Sequence, residues 1–230
     1  MIIDILTGFP DLLSGPLNES IIARALDDRI VEIWAHDLRH YTTDRHGKID
    51  DLPYGGGAGM ILQAQPVFAC VDAIRARRAS AKPRLIFMSP QGQPLTQTRV
   101  DELSRNEWLV VLCGHYKDVD ARVFERDSWE ALSVGDFVVS GGELPAALLI
   151  DAVVRRLPGV LGNEESADSD SFAMGDLDCP YYTKPEEIAG LRVPEVLLSG
   201  HHAKIAEWRT AQRAERTRTL RPDLLTKDNK

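Results

Sequence analysis

Three observations predict an α/β domain built on a mostly parallel sheet, followed by a small helical region. Short apolar stretches alternate with stretches of 3.6-residue periodicity, the pattern of strands joined by helical crossovers. One stretch, Trp108–Cys113, is apolar almost throughout, as a strand buried on both faces requires. After Gly162 the composition turns to Ser, Asp, Gly and Pro without a period, which marks a boundary.

Taken in order, residues 2–6 are apolar and read as a first strand. Asn18 is placed to cap a helix carrying Ile21, Ile22, Ala25 and Leu26 on one face. Residues 30–34 read as a second strand. Residues 36–59 are polar and end in a glycine-rich run, Gly55 to Gly59. Pro66 opens a helix with Val67, Phe68, Val71 and Ile74 on its apolar side. Residues 84–88 are a strand followed by a loop through Ser89, Pro90, Gln91 and Gly92. Thr96 or Thr98 caps a helix carrying Val100 and Leu103. The strand 108–113 runs into Gly114, His115 and Tyr116. Residues 134–139 read as the last strand-like piece, broken at Gly141 and Gly142 before an apolar helix entered through Pro145. Three segments result: an α/β domain over 1–162, a linker over 163–185, and a helical region over 186–230.

The composition is that of a soluble globular chain: 43% apolar and 27% charged over 230 residues. No run approaches the roughly 20 apolar residues that cross a bilayer, so no membrane partner is expected. The N-terminus carries no basic region or cleavage signature of a secretory signal. Cys70, Cys113 and Cys179 are odd in number and lack metal or redox spacing, which fits a reducing cytoplasm. The net charge of −8 hides an asymmetry. Six acids and no Lys or Arg fall within 160–183, whereas Lys204, Arg209, Arg213, Arg216, Arg218 and Arg221 outnumber Glu207 and Glu215 in the last helical stretch. A local basic face suits phosphate contacts, and equally suits a solvated helix surface.

Three strand ends carry glycine-bearing loops: 89–92, 114–116 and 134–142. In open α/β sheets, ligands sit beyond the carboxyl ends of strands. Three loops of this kind can wrap a nucleoside-like ligand with backbone groups, or be ordinary turns. No GxGxxG, Walker loop or GxSxG elbow is present, which argues against Rossmann dinucleotide, P-loop and serine-hydrolase chemistry. Arg155 and Arg156 end the apolar helix, where a cation also relieves the helix dipole. Asp168, Asp170 and Ser171 lie in the acidic segment, where a carboxylate is either solvated or a candidate base.

In order along the chain stand DRHGKIDDLPYGGGAGM, MSPQG, CGHYKDVDARV, VGDFVVSGGELPA, LIDAVVRRLPGVLG, DSF with LDCPYYTKP, and LLSGHHAKIAEWR. In these motifs the chain resembles the TrmD family of bacterial tRNA (guanine-N1)-methyltransferases, from Met1 to about Leu225. The resemblance implies a trefoil-knotted SPOUT methyltransferase domain with a mostly parallel sheet, plus a small helical C-terminal domain that binds tRNA. It implies a homodimer with a shared active site and methyl transfer from S-adenosylmethionine to N1 of the guanine 3′ of the anticodon, which guards against frameshifts. Carried over by motif, Ser89, Pro90, Gly92, Gly114, Tyr116, Val134, Gly135, Asp136, Phe137, Val138, Val139, Gly141, Gly142 and Pro145 would hold the cofactor. Asp170 would be the general base and Arg155 the arginine that meets charge on O6. A magnesium requirement has been suggested for the family, and no residue here is assigned to it. The chain departs from the family pattern at His115-Tyr116-Lys117-Asp118, where Arg-Tyr-Glu-Gly is common, and at Tyr181, where histidine is common. Asp118 is thereby expected at a glycine-like, left-handed position. The alternatives are a knotted methyltransferase with another RNA target and a non-catalytic RNA-binding module.

Overall fold

The computed structural model describes residues 1–78, 82–162 and 169–229. The chain divides into two compact units, Met1–Gly162 and Asn163–Lys230. Of the expected linker, 163–168 lie outside the described residues, as do Asp168 and the acids Glu164 and Glu165.

In the first unit the elements are β1 (Ile2–Thr7), α1 (Asp11–Leu17), α2 (Ser20–Asp27), β2 (Glu32–Asp37), β3 (Asp50–Asp51), β4 (Ile61–Leu62) and α3 (Ala64–Arg77). They continue with β5 (Arg84–Pro94), α4 (Gln97–Leu103), β6 (Trp108–Cys113), β7 (Asp118–Val119), α5 (Arg122–Arg126), β8 (Glu130–Ser133) and α6 (Glu143–Val154). Five strands form one sheet in the order β2-β1-β6-β5-β8, with every neighbouring pair parallel. A smaller sheet joins β3, β4 and β7.

A parallel sheet has to be covered on both faces, and the strand residues divide accordingly. Ile3, Ile5, Ile86, Met88, Leu109, Val111 and Cys113 meet the apolar sides of α1, α2, α4 and α6. Leu85, Phe87, Trp108, Val110 and Leu112 face the other way, onto Val67, Val71 and Ile74 of α3 and Val123 of α5. Each such aliphatic side chain contributes about 1.5–3 kcal/mol by leaving water. Asp4 is the buried charged residue in β1, and it is satisfied: Trp108 Nε1 donates to one carboxylate oxygen at 2.7 Å and His36 Nε2 lies 2.7 Å from the other.

Several expected boundaries move. Asn18 does not cap α2; it ends α1, a short helix absent from the sequence reading, which carries Gly15 and Pro16 in its interior. Thr96 does cap α4, accepting the Arg99 amide. The second strand starts two residues later than expected and lies at the sheet edge, leaving Trp34 exposed. Residues 134–139 are not a strand. The sheet strand is β8, which ends at Ser133, where the Ser133 hydroxyl donates to the Gly135 carbonyl at 2.9 Å in a turn. The β-branched pair Val138 and Val139 that suggested a strand is exposed on the loop beyond it.

The second unit contains an antiparallel pair, β9 (Glu187–Ile188) and β10 (Leu191–Arg192), then α7 (Glu195–Leu198), α8 (His202–Leu220) and a 3₁₀ segment, Pro222–Asn229. The hairpin is an addition to the helical region expected. The chain around Asp170 lies along α8: Arg213 Nη2 donates to the Ser169 carbonyl at 2.9 Å and Arg213 Nε pairs with Asp176 at 3.3 Å. The Leu177 amide donates to the Thr217 hydroxyl at 2.9 Å. The basic face of α8 is thus partly neutralised within its own unit, with Arg218 also on Glu215 and Arg221 on Asp223.

Candidate functional site

The carboxyl ends of β5, β6 and β8 open onto one cleft of about 710 Å³, part of it open to solvent. Each strand contributes through a local irregularity. In the β5–β8 ladder, Met88 pairs with Leu132 and Gln93 pairs with Leu132 again, so residues 89–92 leave the ladder as a bulge. Ser89 and Pro90 line the cleft. Gly92 does not. It returns the chain to the sheet so closely that a Cβ would overlap the backbone of Ala131 and Leu132. Its glycine serves strand packing, a role that the sequence reading did not separate from ligand contact.

The second loop leaves β6 at Cys113. Gly114 and Tyr116 line the cleft, with Tyr116 in the left-handed region at φ 64°. That conformation costs a non-glycine residue of order 1–3 kcal/mol. The left-handed residue of this loop is therefore Tyr116, not Asp118, which opens β7. The Lys117 amide donates to the Met60 carbonyl at 2.9 Å, tying the loop to the end of the glycine-rich run. Burial, with Asp50 adding to it, holds the Tyr116 phenol above its ordinary pKa.

The third loop closes the cleft. Val134, Gly135, Phe137, Val138 and Val139 line it first, then Gly141, Gly142 and Pro145 at the start of α6. Asp136 is exposed on the same loop and does not line the cleft. The Gly142 amide donates to the Gly114 carbonyl at 2.7 Å, and His115 forms an antiparallel bridge with Gly141. A Cβ on Gly142 would stand 2.8 Å from both the Cys113 Cα and the Gly114 nitrogen. Only glycine permits this approach. The result is a cleft lined by three glycine-bearing loops, with Phe137 and Tyr116 among its lining side chains.

Behind the third loop lies a residue that the sequence reading passed over. Glu143 begins α6, where a carboxylate reads simply as a partner for the helix dipole. In the fold it is 1% exposed. Its Oε1 accepts the Thr7 hydroxyl at 2.7 Å, and its Oε2 faces His115 Nδ1 at 3.5 Å. Only a helix N-terminal Glu followed by Leu-Pro, with a Thr at the end of the first strand, could have signalled it.

The two residues expected to carry chemistry stand in different units. Arg155 is half-buried at the C-terminal cap of α6, its amide donating to the Asp151 carbonyl at 3.2 Å. Asp170 lies in the segment bound along α8, its carbonyl accepting the Ala173 amide at 3.2 Å. Among the described residues, no three His, Cys, Asp or Glu side chains gather to hold a metal ion, and no helix is long and apolar enough to cross a membrane.

The family model described as tRNA (Guanine-1)-methyltransferase TrmD matches residues 1–227. The chain is 50% identical to the tRNA (guanine-N(1)-)-methyltransferase of Ruminiclostridium cellulolyticum, covering 97% of this chain and 96% of the relative. It is 50% identical to the protein of the same name from Shouchella clausii, over 98% of this chain and 91% of that one. For the Desulforamulus reducens protein of that name the figures are 48%, 98% and 89%.

Proposed function

The chain belongs to the tRNA (guanine-1)-methyltransferase family, and on that premise we propose that it methylates N1 of the guanine immediately 3′ of a tRNA anticodon, with S-adenosylmethionine as donor. The observation that carries the reading is the convergence of three loops from β5, β6 and β8 on one cleft, closed by the Gly142–Gly114 hydrogen bond.

The cleft fits the donor. Backbone groups of 114–116 and 134–142 offer partners for the edges of an adenine, while Phe137, Val138 and Pro145 supply apolar contact. When bound, S-adenosylmethionine supplies a methyl group activated by its sulfonium, which is left as a neutral thioether. The protein's task is to present guanine N1 without its proton. Asp170 accepts that proton as N1 takes the methyl group, a contribution of about 10²–10⁴ for a positioned base. Arg155 meets the negative charge that grows on O6. The proposal assigns magnesium to no residue.

In this reading the three loops are turns of a trefoil knot of the SPOUT class, for which the all-parallel order β2-β1-β6-β5-β8 is the support. The first unit holds the cofactor and the second contacts tRNA through α8. Two chains share each active site, with Asp170 of one meeting Arg155 of the other. The dimer reading is supported by an apolar face: Leu12 on α1 and Leu144 and Leu148 on α6 are each more than half exposed. Monomers rarely leave such a patch bare. The methylated base guards the reading frame, and the cytoplasm, where tRNA is decoded, is the compartment that follows; three buried free thiols agree with it. Isothermal titration with S-adenosylmethionine tests the cofactor site: saturable binding is expected, and its absence removes the basis of the proposal.

A further inference from the structure

We propose that His115 and Glu143 form a protonation-controlled clasp that sets how tightly the cleft closes, with His115 as a positioning residue. The inference rests on the reading of the cleft as the cofactor site. Its basis is two buried polar atoms that face each other at ion-pair distance and have no hydrogen-bond partner. Glu143 Oε2 and His115 Nδ1 are both buried without a hydrogen-bond partner, and they stand 3.5 Å apart. Gly141 lies between them: a Cβ there would overlap both atoms.

The geometry joins the two walls of the cleft. His115 belongs to the loop after β6, Glu143 to the first turn of α6, and the backbone bridge between His115 and Gly141 runs alongside. A buried carboxylate oxygen without a donor is destabilising. Protonated imidazole removes that cost by donating Nδ1–H to Oε2. Neutral imidazole leaves a weaker bond or, in the other tautomer, sets a lone pair against the carboxylate. Charged His115 therefore draws 114–116 and 140–142 together, which is the arrangement a bound adenosine needs.

The surroundings of the pair are few and specific. Glu143 Oε1 is held by Thr7 on β1, so the carboxylate cannot turn away. The His115 ring lies against Phe9 at 4.2 Å and Tyr116 at 5.2 Å between centroids. Arg39 reaches the far face of the cluster, 4.9 Å from the Phe9 ring centroid. Asp50 acts on Tyr116, and the Cys113 thiol beneath, held neutral by burial, is within the field of Glu143. Glu143 is the one carboxylate in direct reach of His115 among the described residues.

The test is S-adenosylmethionine affinity by calorimetry from about pH 5 to about pH 8, the window in which imidazole changes charge. The donor's own amino group titrates there as well, so the readout is the difference between wild type and variants. Wild type is expected to bind roughly 5-fold or more tightly at the acid end, after that correction. His115→Gln should bind weakly with no residual pH dependence. His115→Arg, permanently charged, should bind tightly with none. Identical pH profiles for wild type and His115→Gln overturn the clasp while leaving the cofactor site intact. No binding by wild type at any pH overturns the cofactor reading, and the clasp with it.

Discussion

The Gly142 amide donates to the Gly114 carbonyl at 2.7 Å, so the helix α6 begins on the loop that leaves β6. A methyl group at Gly142 would press on backbone atoms, which cannot swing aside as a side chain can. Gly142→Ala is therefore expected to cost about 1–3 kcal/mol of stability, as overpacking does. The same displacement separates the cleft walls, and S-adenosylmethionine affinity should fall about 10-fold or more. Denaturant titration and calorimetry on the same preparation check both.

Asp170→Asn keeps the size of the proposed base and removes its affinity for a proton. Turnover is expected to fall by about 10²–10⁴ while cofactor affinity stays unchanged. Arg155→Ala should likewise abolish turnover. If active sites are shared between chains, mixing the two inactive variants restores activity in the mixed dimers. No recovery on mixing, with dimers confirmed by sedimentation, places both groups on one chain.

Arg213, with Thr217, holds the Asp170 segment on α8, through the Ser169 carbonyl and the carboxylate of Asp176. It is itself mostly buried against them. Arg213→Ala is expected to lower turnover roughly 10- to 100-fold by misplacing the segment, with cofactor affinity preserved. Arg213→Lys keeps the charge and loses the fork, so it should recover only part of the rate.

Burial pushes the Cys70 thiol up to about 12 and the Cys113 thiol well above its ordinary value. The unfolded chain releases these protons near the free-thiol value of about 8.5. Stability from the neutral thiols is therefore complete below that value and declines as pH rises toward the folded one. Iodoacetamide at mildly alkaline pH should label neither cysteine in the native protein and both after denaturation. Cys70→Ala should make the alkaline decline of stability shallower.

Much of this was legible in the chain. Trp108–Cys113, nearly all apolar, read as a strand buried on both faces, and all six residues are buried in the middle of the sheet; the three glycine-bearing loops pointed to one end of it. What escaped notice depended on contacts far apart in sequence. The packing of Gly92 gave no local signal because its neighbour, the β8 backbone, is some 40 residues away along the chain. Residues 134–139 have strand propensity but no β5 partner past Pro94, where the β5–β8 register ends, so the chain turns at Ser133 instead. Glu143 carried no signal of burial, because its partners Thr7 and His115 come from the end of β1 and from the loop after β6. In the Asp170 segment a lack of periodicity was correctly seen, whereas its attachment to α8 needed Arg213 and Thr217, which sequence spacing alone does not pair with it.

The most direct measurement is transfer of labelled methyl from S-adenosylmethionine to a tRNA transcript with guanine after the anticodon, followed by mapping of the modified nucleoside. The account predicts N1-methylguanosine at that nucleotide, and no incorporation when it is replaced by adenosine. Methylation of another atom or another nucleotide, or no transfer by protein that binds the cofactor, would contradict it.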